Sequence, residues 1–393
     1  MNHKKQNVLI VGGGMYVSGR GTKSYGTVLP AIFEAKKCGY INKVFIATTS
    51  PHSSNYIKKI IKKLSKIMKV YIDFDVFPKK NIDKNAYQKV IKKFSIDSSI
   101  VAVPDHLHFP ICKKILNQKI HCMVVKPMTS NLKEAKLMTS LVINKKVIGQ
   151  VEFHKRLDIS NQILKDKISS GELGKLQYAS IEFSQRKQIP TKIFKKWVKK
   201  TNIFQYLGVH YVDLLYYITN FKPVSVVAWG QKDFLISKGI DTWDSIQVIV
   251  QWKRNDNKAF ISSHLSNWID PNKTTALSDQ KISIVGTKAR YSSDQKNRGI
   301  EFVSDKDGSN HINPYFAFPT FDKQNKSFVF SGYGIDNMKQ FFKDIDLFNN
   351  NKISLNQINK TRPSFKESII ASAVIEAAYK SLTNNNKIIK IKL

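Results

Sequence analysis

The sequence predicts an α/β protein in which a doubly wound domain with a parallel sheet precedes an α+β domain with a large mixed or antiparallel sheet. In the first third of the 393 residues, short apolar runs alternate with amphipathic helix patterns, as in parallel strands joined by helical crossovers. Beyond the turn-like segment 171–174, longer alternating strands follow one another with few helices between them. The predicted domains are residues 1–149 and 150–393.

The first domain is predicted to contain six strands separated by helices. The strands are Val8–Val11, Val44–Ala47, Val70–Phe74, Ile100–Val103, His121–Val125 and Val147–Phe153. The helices are Thr27–Lys37, Tyr56–Met68, Ala86–Phe94, Pro110–Asn117 and Leu132–Val142. The second of these helices illustrates how the helices are predicted. Its isoleucines and leucine recur at helical spacing and its lysines occupy the opposite side, which predicts one core-facing stripe.

The second domain is predicted to be built on a broad sheet. Its strands are Leu176–Phe183, Val224–Gly230, Ser245–Trp252, Ala259–Asn267 and Lys281–Val285. A terminal helix over 364–382 begins with a Ser364 cap and Glu367 three residues later, and we expect it to pack back on the first domain. A broad sheet with one uncovered face suits subunit pairing, so a homodimer or homotetramer is expected.

The charge balance is strongly basic, with 64 Lys and Arg residues against 29 Asp and Glu, a formal net charge of +35. Such a charge can indicate a nucleic-acid partner. Only seven of the basic residues are arginine, however, so the bidentate fork that recognises phosphate and guanine is scarce. The lysines are spread over the whole chain, and we expect no nucleic-acid partner.

The cysteines and the lengths of the apolar segments indicate the cellular compartment of the protein. The three cysteines include no C-x-x-C pair, so neither a disulfide framework nor a zinc knuckle is indicated. The apolar run Val8–Val11 is too short for the core of a signal peptide, and no stretch reaches the ~18 apolar residues of a membrane helix. We therefore expect a reduced, cytoplasmic protein without a membrane partner.

Three glycines close the first predicted strand. Glycines at this point permit a tight turn and a close approach of backbone N–H groups to a pyrophosphate, as in a Rossmann dinucleotide site. The strict G-x-G-x-x-G pattern is not met, because Val17 stands where its third glycine belongs, and an apparent insertion over 15–25 precedes the next helix. An ordinary strand-to-helix turn is the alternative. The predicted pyrophosphate site comprises Gly12, Gly13, Gly14, Met15 and Tyr16.

The end of the second strand bears on the choice between NAD and NADP. Thr48, Thr49 and Ser50 stand where an NAD-specific domain places a carboxylate on the ribose 2′-hydroxyl. Hydroxyls with Lys58 or Lys59 in reach suit a 2′-phosphate. The sequence therefore favours NADP, with NAD as the alternative.

Two segments, Ile100–His108 and His121–Pro127, resemble the Gfo/Idh/MocA family of NAD(P)-dependent oxidoreductases. That family has a strand, a T-P-x-x-x-H-type loop, a helix, and a strand ending in E-K-P. With the glycine-rich start, Gly208–Asp213 and the terminal helix, the likeness spans essentially the whole chain. The resemblance implies an enzyme that transfers a hydride between a nicotinamide cofactor and a hydroxyl or keto group of a sugar, polyol or sugar derivative. It adds to the cofactor site Val103, Pro104, His106, His108, Lys126 and Pro127.

Two residues are the candidates for catalysis. Lys126 follows a buried-type strand, at the carboxyl edge of the sheet where ligands of open α/β domains bind, and its ammonium is suited to stabilising alkoxide character. A helix predicted over 204–219 places a polar stripe of Tyr206, His210, Asp213 and Tyr217 on one side. The family likeness makes His210 the acid/base residue. The predicted substrate contacts are Tyr206, Asp213, His154 and Arg156.

Other functions were weighed against this one. Asp105, His106 and His108 are a metal triad by residue type, but no further ligands cluster near them and no metal is expected. Val125 and Tyr206 depart from the family, which commonly has Glu before the lysine and Asp four residues before the histidine. They favour one alternative, a non-catalytic dinucleotide-binding regulator that senses a sugar. The other alternative is a glycosidase of the same fold that holds NAD.

Overall fold

The computed structural model describes residues 5–306 and 308–393. Contacts between Cα atoms divide the chain into two compact units. The first unit comprises the chain up to Thr129, then Lys133–Leu157 and Tyr315–Ser368. The second unit comprises Ser130–Leu132, Asp158–Pro314 and Ile369–Leu393. The sequence had placed a single boundary at residue 149, whereas these units include a late segment, 315–368, in the first.

The described residues of the first unit form a six-stranded parallel sheet in the order β3-β2-β1-β4-β5-β6. Its strands are β1 (Gln6–Val11), β2 (Ile41–Ala47), β3 (Asp73–Phe77), β4 (Ser98–Val101), β5 (His121–Val125) and β6 (Gly149–Glu152). The helices along it are α1 (Met15–Ser18), α2 (Val28–Lys37), α3 (Pro51–Met68), α4 (Ala86–Lys93), α5 (His108–Asn117) and α6 (Leu132–Lys145). This order confirms the predicted doubly wound sheet, in which all strands are parallel and the strand order reverses between β1 and β4.

The third strand differs from its prediction. It was expected over Val70–Phe74, and β3 instead begins at Asp73. Lys69 adopts a left-handed φ of 52° that ends α3, so the residues directly after it connect helix to strand. The carboxylates of Asp73 and Asp75 then pair with Lys43 of β2 at 3.2 and 3.1 Å. Polar residues therefore continue a strand that an apolar pattern alone had ended too early.

The segment 315–368 joins the core of the first unit through helices that the sequence reading had not assigned. These are α10 (Tyr333–Asn349) and α11 (Leu355–Thr361), preceded by a hairpin of β15 (Phe318–Asp322) and β16 (Ser327–Ser331). The apolar side of α10 shares one cluster with α2 and β1. The buried members from this segment are Phe330, Ile335, Met338, Phe341, Phe342, Ile345 and Ile358.

The described residues of the second unit form a seven-stranded mixed sheet in the order β12-β11-β7-β10-β9-β8-β17. Its strands are β7 (Leu176–Arg186), β8 (Lys222–Gln231), β9 (Ser245–Lys253), β10 (Ala259–Asp270), β11 (Ser278–Gly286), β12 (Arg290–Asp294) and β17 (Ile389–Lys390). The pair β7–β10 is parallel, and the other neighbours in the sheet are antiparallel. The prediction of a large mixed or antiparallel sheet is confirmed.

Helices and a second hairpin complete the second unit. They are α7 (Ile159–Ser169), α8 (Val209–Thr219), α9 (Phe234–Ser237) and α12 (Phe365–Thr383), with the hairpin of β13 (Glu301–Ser304) and β14 (Gly308–His311). The terminal helix α12 begins within the first unit, where Phe365 lies close to Gly149 and Ser364 bridges to Gln150. No helix in the described part of the chain is long and apolar enough to span a membrane.

Candidate active site

The glycine turn after β1 is built so that only a residue without a side chain fits its first position. Gly12 has a φ of +123°, and a Cβ there would lie 2.0 Å from the carbonyl oxygen of Ala102. At Gly14, by contrast, a Cβ would meet no described atom within 4 Å. The backbone at Gly14 and Met15 therefore borders open space at the carboxyl edge of the sheet. This bare, tightly turned backbone fits the pyrophosphate of a dinucleotide.

The insertion after these glycines has a structure of its own. The sequence reading expected no helix over 15–25, but α1 forms one helical turn there and ends at Gly19, whose φ is 71°. The N–H of Thr27 then donates to the carbonyl of Tyr16 at 2.8 Å and ties the end of the insertion back to α1. The predicted residues Met15 and Tyr16 thus lie on this helical turn, next to the glycines.

Arg20, in the same insertion, reaches the start of α3. Its Nη1 donates to Ser53 Oγ at 2.8 Å, and its guanidinium lies 5.6 Å from the centre of the Tyr56 ring. The sequence reading did not assign Arg20 to the cofactor site. A signal existed, because Arg20 is the first arginine of a lysine-rich chain and the next is Arg156.

Two of the three hydroxyls at the end of β2 already make hydrogen bonds within the protein. Thr48 is buried and its hydroxyl lies 2.9 Å from that of Ser54. Ser50 caps α3 by accepting a hydrogen bond from the N–H of Ser53 at 3.3 Å. Of the predicted trio, Thr49 is the exposed member. The sequence argument for NADP from these hydroxyls therefore loses its basis.

The loop after β4 carries the next predicted cofactor residues. Val103 and Pro104 are partly exposed and lead into a single 3₁₀ turn, Asp105–Leu107. His106 lies exposed on this turn, while Asp105 is buried. The loop thus presents Val103, Pro104 and His106 at the carboxyl edge of β4, where the sequence had placed them.

His108 holds this loop to the turn after β5. It is fully buried, and its ring nitrogens lie 2.6 Å from the carbonyl oxygen of Pro127 and 2.9 Å from that of Val103. Burial lowers the pKa of His108, while the carboxylate of Asp105 and the two carbonyls oppose the change. His108 and Pro127, both predicted as cofactor-site residues, are buried, and His108 acts by linking the two loops at the carboxyl edge of the sheet.

Lys126 occupies the predicted place, directly after β5 at the carboxyl edge of the sheet. It is partly exposed, and the peptide bond to Pro127 is cis. Burial lowers the pKa of Lys126 from 10.5 to about 8, although the carboxylates of Asp105 and Glu152 act in the opposite direction. An amine with a pKa near 8 exchanges protons readily close to neutral pH.

The two predicted substrate contacts after β6 are buried within the first unit. His154 Nδ1 lies 2.5 Å from Glu152 Oε1, and its ring stacks on that of Tyr333 with centroids 5.5 Å apart. The hydroxyl of Tyr16 is 3.4 Å from the same nitrogen. Arg156 is only 4% exposed. These positions show that His154 and Arg156 are not solvated surface residues, which was the alternative interpretation.

In the second unit, His210 and Asp213 lie on α8 and are both buried. The His210 ring faces Phe183 of β7, with the ring centres 6.1 Å apart. A continuous α-helix from residue 204 was predicted, but Phe204–Gly208 forms a π turn in which the N–H of Val209 reaches the carbonyl five residues earlier. The α-helical spacing that put Tyr206 on the His210 stripe therefore does not hold across that turn.

Tyr206, predicted as a substrate contact on that stripe, belongs instead to a cluster of aromatic side chains. Its ring centre lies 5.0 Å from that of Phe194, 5.9 Å from that of Trp268 and 6.1 Å from that of Trp197. Trp268 is buried, whereas Tyr206 and Trp197 keep partial exposure. Partly exposed aromatic faces are surfaces on which the C–H side of a sugar or polyol ring packs.

Two family models match this chain. One, for an oxidoreductase family with an NAD-binding Rossmann fold, matches residues 38–153, and the other, for the GFO/IDH/MocA C-terminal domain, matches residues 161–292. The chain belongs to the Gfo/Idh/MocA oxidoreductase family. The resemblance stated from the sequence is thereby confirmed, and so is the NAD-binding type of its first domain.

Curated relatives from this family share parts of the chain. Scyllo-inositol 2-dehydrogenase (NAD(+)) of Bacillus subtilis is 29% identical over 143 residues, which cover 36% of this chain and 41% of the relative. Glucose-6-phosphate 3-dehydrogenase of the same organism is 28% identical over 213 residues, covering 50% of this chain and 57% of the relative. The matched region thus spans less than two thirds of either relative.

Solved structures of Gfo/Idh/MocA-like proteins resemble the whole fold. Scyllo-inositol dehydrogenase from Lactobacillus casei with bound NAD(H) and scyllo-inositol superposes with a TM-score of 0.66 at 15% identity, covering 98% of this chain and 99% of that one. Myo-inositol 2-dehydrogenase from Lactobacillus plantarum gives a TM-score of 0.67 at 16% identity, covering 99% and 100%. At these identities the likeness establishes the fold.

Proposed function

We propose that this protein is an NAD(P)-dependent dehydrogenase or reductase that acts on a CH–OH or keto group of a polyol, sugar or sugar derivative. One observation carries the proposal: Lys126, an amine with a pKa lowered to about 8, stands at the same carboxyl edge of a parallel sheet as a glycine turn that fits a pyrophosphate, two strands along from it. Family membership supports the same reaction class.

The proposed mechanism assigns a role to each side chain. The bound dinucleotide supplies the hydride acceptor or donor. Gly12 to Met15 and the loop held by His108 bind it through backbone and loop contacts. During oxidation, the imidazole of His210 takes the proton of the substrate hydroxyl, and the Lys126 ammonium donates a hydrogen bond to the same oxygen as negative charge develops there.

Substrate recognition is assigned to polar and aromatic groups together. Asp213 and Arg156 offer a carboxylate and a guanidinium for hydroxyl or anionic substituents, and His154 remains a predicted contact. The aromatic cluster of Tyr206 and Trp197 offers apolar faces for the ring. Two curated relatives are a scyllo-inositol dehydrogenase and a glucose-6-phosphate dehydrogenase, and we propose cyclic polyols and hexose phosphates as substrates of this chain.

A substrate panel tests this function. Purified protein is mixed with NAD or NADP and with inositols, aldoses and hexose phosphates, and reduced nicotinamide is followed by its absorbance. We expect reduction with at least one cyclic polyol or sugar. Dinucleotide binding with no turnover on any compound would favour the regulator, and release of a sugar from a glycoside without net reduction would favour the glycosidase.

We infer that the NADP preference expected from the sequence depends on Arg20 instead of the hydroxyls after β2. A guanidinium near the end of the second strand accommodates a 2′-phosphate, and Arg20 is held there by Ser53 and Tyr56. We expect Arg20→Ala to lower kcat/KM for NADP by about 10-fold to 100-fold, because the variant loses a charge-assisted hydrogen bond to the 2′-phosphate. The value of kcat/KM for NAD should change little.

The comparison needs both cofactors and a control for charge. Lys62→Ala removes one positive charge from an exposed position on α3 and should leave the NADP/NAD ratio unchanged. A wild-type preference for NAD, or an equal loss with both cofactors in Arg20→Ala, would contradict the role of Arg20. Steady-state kinetics at matched ionic strength measure all three proteins, because salt screens exposed charges.

We infer that a second copy of this chain covers the outer face of the seven-stranded sheet. Register pairing puts exposed apolar residues of four strands on that face, and the opposite face is buried. They are Tyr178, Trp229, Ile249 and Ile261.

We expect light scattering of the wild-type protein to give the mass of a dimer or tetramer, and the Ile249→Lys variant to give a mass closer to that of a monomer. Ile163→Lys, on an exposed isoleucine of α7, is the matched control, and a monomeric wild type would contradict this inference.

The expected cytoplasmic location stays a prediction. All three cysteines are free: the Cys122 thiol donates a hydrogen bond to Cys112 Sγ at 3.8 Å, and no disulfide joins them. Burial raises the pKa of the Cys112 thiol, which keeps it unreactive. Cell fractionation checks the location directly.

A further inference from the structure

Glu152 is a buried carboxylate at the carboxyl edge of the first sheet. It is the last residue of β6, its side chain is only 1% exposed, and its register partner on β5 is Val125, the residue before Lys126. Burying a carboxylate is costly unless it is paired. The surroundings of Glu152 must therefore provide positive charge or hydrogen-bond donors.

His154 anchors this carboxylate. Its Nδ1 lies 2.5 Å from Glu152 Oε1, so the imidazole and the carboxylate share a hydrogen bond. The imidazole itself is fixed from the other side by Tyr333, with which it stacks, and by Phe316, whose ring centre is 5.1 Å away. The Glu152 carboxylate is therefore held by a histidine that is itself packed between aromatic rings.

Two carboxylates act on the pKa of Lys126, and Lys126 acts on the pKa of a neighbouring histidine. Asp105 comes from the 3₁₀ turn after β4, His108 from α5 and Glu152 from β6. Both carboxylates raise the pKa of Lys126, against the burial that brings it to about 8. Lys126 in turn lowers the pKa of His108. Asp105 belongs to the predicted cofactor loop, whereas Glu152 is held in the sheet by its own anchor.

We propose that Glu152, anchored by His154, is a positioning residue that keeps the Lys126 side chain as an ammonium at the carboxyl edge of the sheet. The family commonly has Glu directly before its lysine, and here Val125 takes that place. The neighbouring strand supplies a carboxylate instead, from the residue in register with Val125. This inference rests on the proposed function for its catalytic meaning, but the effect of Glu152 on Lys126 can be measured without turnover.

The test measures the protonation of Lys126 directly. The full-length protein is acylated with a limiting amine reagent over a range of pH, and labelling of the Lys126 peptide is read by mass spectrometry. In Glu152→Gln we expect the pKa of Lys126 to fall by about 1 pH unit or more, since an opposite charge close by favours the charged form. The alkaline limb of kcat/KM should move to lower pH by the same amount.

Matched variants distinguish a specific effect on the pKa of Lys126 from a general loss of structure. Glu152→Asp keeps the charge and should restore most of the titration. Glu34→Gln removes a buried carboxylate of the same unit that binds the N–H of Phe330, and it should not move Lys126. If Glu152→Gln does not fold, His154→Ala frees the carboxylate from its anchor and should shift Lys126 in the same direction.

Two results overturn the proposal. One is an unchanged Lys126 titration in folded Glu152→Gln, and the other is an equal shift in Glu34→Gln. Failure of the proposed function looks different, because a protein without dehydrogenase activity would still show the labelling shift. The labelling readout and the pH profile of turnover therefore report on separate statements.

Discussion

Replacing Lys126 by alanine should lower kcat by ~10²–10³, the typical effect of removing one preorganised donor to a developing oxyanion. Lys126 stands at the carboxyl edge of the sheet, where burial lowers its pKa and the carboxylates of Asp105 and Glu152 act in the opposite direction. Because the ammonium is the active form in oxidation, wild-type activity should decline as pH rises through about 8, the pKa of Lys126. Steady-state kinetics from acid to alkaline pH measure both effects.

Measuring the stability of Lys126 variants provides the control for this prediction. The pKa of Lys126 is lower in the folded protein, about 8, than the 10.5 of the free side chain. The folded state therefore disfavours the ammonium, so a destabilising contribution is fully present below about pH 8 and disappears as pH rises towards the unfolded pKa. Lys126→Met keeps the aliphatic stem without the charge. Near pH 7 it should raise the free energy of unfolding by an amount on the order of 2 kcal/mol, after a discount for residual exposure.

Denaturant unfolding near pH 7 and near pH 10 checks the sign, because the gain of Lys126→Met should shrink at the higher pH. A variant that is inactive yet at least as stable as the wild type establishes a functional loss. Unchanged kcat/KM in Lys126→Ala would remove Lys126 from the mechanism. Lower stability of Lys126→Met at both pH values would contradict the account of its burial.

The first sheet was predictable because its strands carry the pattern of burial on both faces. The strand His121–Val125 agrees with its prediction at both ends, and Lys126 follows it by chain connectivity alone. Parallel strands point their carboxyl ends to one edge. A residue placed directly after a correctly assigned strand is therefore placed at the site as well.

Contacts between segments that are distant in the sequence could not be predicted from local sequence patterns. The segment Tyr315–Ser368 packs into the first unit although some 300 residues separate α10 from the α2 helix that it meets. Helical periodicity identifies an apolar side but not the surface that will cover it. Tyr333 stacks on His154 from this segment, so the burial of a predicted substrate contact was hidden for the same reason.

Departures from regular geometry limited how much of the rest of the candidate site could be predicted from the sequence. The π turn at Phe204–Gly208 shifts the register of Tyr206 relative to His210, and a reading based on 3.6 residues per turn does not detect it. Arg20 lies in an insertion, where no periodicity exists to follow. Glu152 was read only as part of a strand, since its relation to Lys126 depends on strand register.

Replacing His210 by alanine should lower kcat by ~10²–10⁴, the range for a lost general base. The residue is buried on α8 with its ring facing Phe183, so a purely structural role would show as lower stability without a specific kinetic signature. Added imidazole distinguishes the two roles. A small free base can take the hydroxyl proton in the space that the side chain leaves, and turnover of His210→Ala should then rise with imidazole concentration.

The neighbouring carboxylate offers the matched comparison. Asp213 is buried on the same helix, and Asp213→Asn should reduce kcat/KM less than His210→Ala and gain nothing from imidazole, because the base itself is still present. Dinucleotide affinity, measured by fluorescence titration, should change little in either variant, since the glycine turn and the loop held by His108 belong to the first unit. Wild-type turnover in His210→Ala, or equal rescue of both variants, would mean that another group accepts the proton and that His210 only packs against β7.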